Sequence, residues 1–134
     1  MKEFYMKSFL ELIENANSEI KTITSSELSE IFIDTNLVII DVQSKDTVEK
    51  NGMIKGAVHA NRGFLEFYAD QREDNPFRKK ELDPLKKIVV YCGAGGQGAL
   101  ATKTLQDMGF EDVSNLEGGV NSWLSNGNSL EKIK

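Results

Sequence analysis

Two apolar runs dominate the chain, Leu37-Val38-Ile39-Ile40-Asp41-Val42 and Lys87-Ile88-Val89-Val90-Tyr91. Both are short, continuous and rich in β-branched residues, which predicts strands buried on both faces, as in a parallel sheet. Ala57-Val58-His59-Ala60 and Val113 to Leu116 predict two shorter strands, the second closed by Gly118-Gly119. Between them the period changes. Residues 2–16 carry Phe4, Phe9, Leu12 and Ile13 among charges, an amphipathic helix. Thr24-Ser25-Ser26-Glu27 has the form of a capping box and predicts a helix to about Ile31. Asp46 to Lys50 predicts one helical turn ended by Asn51-Gly52, and Gly63 to Ala69 a buried helix. Gly98 to Met108 has helical spacing and stops at Gly109, while Val120 to Leu124, with Trp123, opens a last helix that stops at Asn126-Gly127. Residues 70–86 hold both prolines and predict a long surface connection. Strands alternating with helices predict an α/β fold, a central, mainly parallel sheet with helices on both faces. We expect an N-terminal helical extension at 1–18, one domain at 19–127 and a polar C-terminal tail at 128–134.

Composition narrows the function. The 134 residues carry a net charge of −5 and 40% hydrophobic residues, the make-up of one ordinary globular domain. An acidic chain has no electrostatic reason to hold nucleic acid. No stretch approaches the ~18–20 apolar residues of a membrane span, and Glu11 and Glu14 interrupt what would be the apolar part of a signal peptide. The single cysteine, Cys92, excludes an internal disulfide, and the single histidine, His59, excludes a His-rich metal site. A lone thiol fits a reducing cytoplasm.

Cys92 closes the second apolar run and is followed by Gly93-Ala94-Gly95-Gly96-Gln97-Gly98 and then a helix. Ligands of such sheets bind outside the carboxyl ends of the strands. The glycines let the backbone curl its N–H groups inward, and the helix adds its positive end. Together they form an anion cradle around the sulfur, a route to a nucleophilic thiolate that needs no histidine base. A lone cysteine can instead be small apolar filler. Four glycines in the next six residues argue against that, because a merely structural strand end has no use for so many entropically costly residues.

Two other chemistries compete for this loop. Gly93-x-Gly95-x-x-Gly98 satisfies the dinucleotide-binding pattern, with Asp112 or Glu117 as the acidic residue that follows, although the chain leaves room for barely one more strand–helix unit. A cysteine phosphatase needs an arginine six residues after the cysteine to clamp phosphate, and that position is Gly98.

Four blocks in order resemble the single-domain rhodanese family over about residues 22–127: Val38-Ile39-Ile40-Asp41-Val42-Gln43, Gly52-Met53-Ile54-Lys55-Gly56-Ala57, Val90-Tyr91-Cys92-x-x-Gly95, and Leu116-Glu117-Gly118-Gly119-Val120-Asn121-Ser122-Trp123. Asn61-Arg62-Gly63-Phe64-Leu65-Glu66-Phe67 resembles a bacterial subgroup of it. The resemblance implies a rhodanese-like fold and sulfur transfer. The Cys92 thiolate would take the outer sulfur of thiosulfate or a persulfide and pass it from a cysteine persulfide to a thiol or to cyanide. No cofactor is implied, and the six residues Cys92 to Gln97 would be the family's sulfur-sized cradle, the seven-residue loops of relatives belonging to phosphatases. Gln43, Met53 and Lys55 stand where the family commonly has Arg, His and Pro, and Gly93 and Gln97 where many members have Arg. Weak thiosulfate affinity follows. A sulfur-carrier or partner-binding module of the same fold is the alternative, and the dinucleotide-binding domain a third.

The remaining candidates support this loop. Asp41 either steadies it by hydrogen bonding or caps the next turn. Arg62 is the one cation placed to reach the pocket, unless solvent or a carboxylate holds it. His59 is expected to be packed or hydrogen-bonded, Tyr91 and Trp123 to be core, and Glu117 to serve the turn. The 2–16 helix is expected to pack on the domain, with a homodimer face as the sharper alternative.

Overall fold

The computed structural model describes residues 5–133. Its elements in chain order are α1 Phe9–Asn17, β1 Lys21–Ile23, α2 Ser25–Ile31, β2 Leu37–Asp41, α3 Lys45–Asn51, β3 Val58–His59, α4 Leu65–Ala69, β4 Lys87–Tyr91, α5 Gly96–Asp107, β5 Val113–Leu116 and α6 Gly119–Ser125. The five strands form one sheet in the order β1-β5-β4-β2-β3, and every pairing is parallel. This is the α/β arrangement expected, with the two longest strands, β4 and β2, beside each other inside the sheet.

The alternation of side chains along a strand divides the apolar runs between two layers. Ile40 and Val42 from the first run, and Ile88, Val90 and Cys92 from the second, join Leu65, Ala69, Ala101 and Leu105 of α4 and α5 on one face. Ile39, Val89 and Tyr91 join Leu28, Val120 and Trp123 of α2 and α6 on the other. The parity of β4 therefore sends the Cys92 side chain to the face covered by α5, whose first turn lies next in the chain.

Local signals explain most boundaries. Ser8 caps α1 and forms a reciprocal box with Glu11, so the helix starts at Phe9, later than the expected residue 2; the first four residues of the chain lie outside the described residues. Thr24 and Glu27 form the box read from the sequence. Gly95 caps α5 in the left-handed conformation at φ 110°, so that helix begins at Gly96, two residues before the expected Gly98. Residues 63–69 split into a 3-10 turn, Arg62–Phe64, and the single turn of α4. They are not uniformly buried. Phe67 is 51% exposed and stacks on Phe64 in a surface aromatic group with Phe77. The edge strand β1 was not expected, because three residues are too few to show a period. Residues 70–86 hold no helix or strand, as expected. Leu130 and Glu131 lie against the domain: Met53 and Glu131 exchange backbone hydrogen bonds at 2.9 and 2.7 Å, and Leu130 packs on the α2–α6 layer. No helix among the described residues is long and apolar enough to cross a membrane.

Tyr91 gives the second layer a polar dependency. It is fully buried, and its hydroxyl accepts the Ile54 N–H at 3.0 Å. Burial, then the adjoining Asp41 carboxylate, raises its ionisation well above the ordinary phenol range. Tyr91→Phe is expected to cost about 1–3 kcal/mol by stranding the buried Ile54 N–H. The unfolded chain loses the Tyr91 proton near pH ~10, where the folded chain keeps it. Stability from this group is thus complete below that pH and falls as pH rises through it. Chemical denaturation at neutral pH and near pH ~10.5 tests both statements: the variant should be less stable at neutral pH and lose less on going alkaline.

Candidate active site

Cys92 stands one residue beyond the carboxyl end of β4, where the chain leaves the sheet. It is 4% exposed, and its Sγ accepts two backbone hydrogen bonds, from Gly95 and Gly98, both at 3.1 Å. Of the six loop residues expected to form the cradle, these two supply amides to the sulfur. Gly93, Ala94, Gly96 and Gln97 line a cavity of about 510 Å³ with Cys92 at its floor. Gly98 leaves room for Asn115 and the sulfur. A Cβ would stand 2.3 Å from Asn115 Oδ1 and 3.5 Å from Sγ.

The remaining walls come from distant segments. Phe9 and Ile13 of α1 stand on one side, and Val42, Gln43, Ser44 and Thr47 complete the lining. None of these residues is charged, which agrees with the missing loop arginines. Ile13 reaches the loop because Gly96 has no side chain: a Cβ there would lie 2.9 Å from Ile13 Cδ1.

Asp41 is fully buried, and its carboxylate accepts from the Gln43 backbone N–H at 2.8 Å and from Gln43 Nε2 at 3.2 Å. It caps the turn after β2 and, through Gln43, fixes one wall of the cavity. Contact with the Cys92 loop is indirect, since Gln43 Oε1 approaches Gly93. His59 is hydrogen-bonded, as expected. Its Nε2 lies 2.7 Å from the Gln43 carbonyl, which can only accept, so Nε2 carries the proton. Arg62 is not brought to the sulfur. Its guanidinium pairs with Glu66 at 3.1 Å and donates to Thr104 Oγ1 at 3.0 Å, beside a neighbouring cleft.

Several supports were not legible as site residues. Gly119 and the start of α6 back the loop: the Val120 N–H donates to the Cys92 carbonyl at 2.8 Å, and the Asn121 N–H to the Gly93 carbonyl at 3.0 Å. Asn115 Nδ2 donates to the Gly95 carbonyl at 3.1 Å, while Asn115 Oδ1 is a buried side-chain oxygen with no hydrogen-bond partner among the described residues. The position of Asn115 inside the short strand β5 gave no hint of this. Phe9 and Ile13 read as the packing stripe of a helix. The two acidic candidates of a dinucleotide site stand at opposite ends of β5, and neither lines the cavity. Asp112 precedes β5, at the amino ends of the strands, where Lys21 holds it at 2.8 Å and lowers its ionisation. Glu117 is exposed at the turn.

The arrangement can hold a sulfur anion and admit a second reactant from the cavity. The model of the family described as "Rhodanese-like domain" matches residues 24–126. A tRNA uridine(34) hydroxylase of Acaryochloris marina is 32% identical over 97 residues, 72% of this chain and 29% of that protein. The chain spans 20% and 35% of the length of two further curated relatives. Among solved structures, a Rhodopseudomonas palustris protein of unknown function, described as a possible tyrosine phosphatase, superposes with a TM-score of 0.87 at 33% identity, covering 98% of this chain and 99% of that one. The polysulfide-sulfur transferase homodimer of Wolinella succinogenes gives 0.71 at 28% identity, covering 92% and 86%.

Proposed function

The chain belongs to the family of rhodanese-like domains, and from that premise we propose that it is a sulfurtransferase working through a persulfide on Cys92. The Cys92 thiolate attacks the outer sulfur of thiosulfate or of a persulfide. An S–S bond forms to Sγ, the donor's own S–S or S–sulfonate bond breaks, and sulfite or a thiolate leaves with the electron pair. An acceptor, a thiol or cyanide, then attacks the outer sulfur and restores the Cys92 thiolate. The sulfur moves at an unchanged oxidation level, so the cycle needs no oxidant.

One observation carries this reading: two backbone N–H groups converge on Sγ at 3.1 Å each, at the floor of a cavity. Preorganised amide dipoles favour negative charge on the sulfur before and after transfer. The Wolinella relative, named for polysulfide-sulfur transfer, points the same way. A phosphatase reading, suggested by the description of the Rhodopseudomonas protein, lacks its clamp, since no arginine stands between Cys92 and Met108. The hydroxylase relative is named for a tRNA substrate, but most of its length is not matched, and a net charge of −5 does not favour RNA. A free thiol nucleophile suits a reducing compartment, the cytoplasm.

The test is intact mass after anaerobic incubation with thiosulfate and, separately, with a hydropersulfide. The expected result is a gain of one sulfur, larger with the hydropersulfide and removed by cyanide as thiocyanate. No gain from either donor overturns the proposal. Loading by hydropersulfide with no steady-state thiocyanate formation would identify a carrier.

The uncharged lining sets a second expectation. Gln97 is exposed at the cavity rim on the first turn of α5. Gln97→Arg adds a cation where a dianion would enter, and kcat/KM for thiosulfate should rise about tenfold, equivalent to about 1.4 kcal/mol. Steady-state thiocyanate assays measure it, and the gain should shrink at high salt.

A further inference from the structure

Resting on that sulfur-transfer reading, we infer that α1 is the specificity element of the site, and that Phe9 and Ile13 receive an uncharged, apolar carbon group carried on the donor's inner sulfur, the one that leaves. The favoured donor is an organic hydropersulfide, R–S–SH, with R compact and apolar next to the sulfur.

Three observations lead there. The first is size. A cavity of about 510 Å³ falls within the ~300–1,000 Å³ range of sites that hold small organic ligands, and an inorganic donor of a few atoms leaves most of it unfilled. The second is the lining. Phe9, Ile13 and Val42 give it an apolar side, Gln43, Ser44, Thr47 and Gln97 a neutral polar one, and no lining residue carries charge. A dianion finds no countercharge in this lining, the cations Lys45 and Arg62 lining instead the adjoining cleft that shares Val42, Ser44 and Gln97, whereas a neutral R group finds Phe9, a residue 70% exposed with much apolar surface left to cover. The third is that the wall is firmly placed. α1 packs along α5. Gln106 Nε2 donates to the Glu19 carbonyl at 3.0 Å, Lys103 pairs with Glu19 at 3.3 Å, and Ile13 rests on Gly96. α1 also lies outside residues 24–126, the part matched by the family model, so this wall is added to the common domain.

In the transfer, the Cys92 thiolate bonds to the outer sulfur of R–S–SH, and R–S⁻ leaves with the electrons of the broken S–S bond, its R group against Phe9. The protein keeps the sulfur as Cys92–S–SH.

Loading of the full chain is followed by stopped-time intact mass with benzyl hydropersulfide, glutathione hydropersulfide and thiosulfate. Loading by the benzyl donor should be at least tenfold more efficient than by either of the others. In Phe9→Ala, benzyl loading should fall at least fivefold through a raised half-saturation concentration, and by more than loading from thiosulfate falls. Phe9 is a surface residue, so the variant should fold, and a methyl, butyl and benzyl series on the unaltered protein gives the same answer without it. Equal loading by benzyl and glutathione donors, or an equal effect of Phe9→Ala on all three, overturns this inference and leaves sulfur transfer standing. Failure of every donor to load the protein overturns both.

Discussion

A Cys92→Ser protein is expected to fold normally and to take up no sulfur from any donor. The substitution is small, and the buried hydroxyl keeps both amides, since Gly95 and Gly98 can donate to oxygen as they do to Sγ. The stability change should stay within about 1 kcal/mol. Chemistry is lost for two reasons. A serine hydroxyl stays protonated where a thiol can ionise, and oxygen forms no stable counterpart of the S–S bond that carries the sulfur. Steady-state thiocyanate formation should fall at least ~10³-fold, about 4 kcal/mol of transition-state stabilisation. Because the chain has one cysteine, no second thiol can take over. Sulfur retained on the variant after desalting would remove Cys92 from the mechanism.

The sulfur and its immediate cradle were readable from the chain because their causes are local. A strand end, a cysteine and a run of glycines are adjacent in sequence, and the alternation of β4 fixes which face the side chain meets. The capping box at Thr24 and the buried runs 37–42 and 87–91 were readable for the same reason. What was not readable is what the fold brings from afar. Asp41 could be placed at a strand end, but its action through Gln43 depends on how the following turn folds back beside Gly93. Arg62 lay near the pocket in sequence terms, yet Glu66, four residues on, and Thr104 of α5 draw its guanidinium away. Phe9 and Ile13 carry an ordinary amphipathic pattern, and nothing in that pattern names the loop against which α1 lies. Asn115 and Gly119 are separated from Cys92 by more than twenty residues; Asn115 reaches the loop through its side-chain amide and Gly119 through a close backbone approach that no residue type announces.

Gly119 should be the least replaceable of these distant supports. Its φ is 56°, and a Cβ would lie 2.3 Å from the Cys92 carbonyl oxygen and 2.9 Å from the carbon and oxygen of the Gly93 carbonyl. The close approach lets the first amides of α6 reach those two carbonyls, so helix and loop are held together at this point. Gly119→Ala incurs about 1–2 kcal/mol for the left-handed backbone and about 1–3 kcal/mol for overpacking against atoms that cannot rotate away, roughly 2–5 kcal/mol in all. The clash can be relieved by moving α6 or by moving Cys92. The second displaces Sγ from its amides, so sulfur loading should fall even where the protein is folded. Gly56→Ala isolates the backbone contribution. Its φ is 80°, similar in sign and size, but nothing stands within 4 Å of the added carbon. That variant should lose about 1–2 kcal/mol and load sulfur at the unaltered rate. Urea denaturation and intact-mass loading of the two variants decide the matter. If Gly119→Ala proves as mild as Gly56→Ala in both, the tight seat of the Cys92 loop on α6 does not govern the sulfur's position.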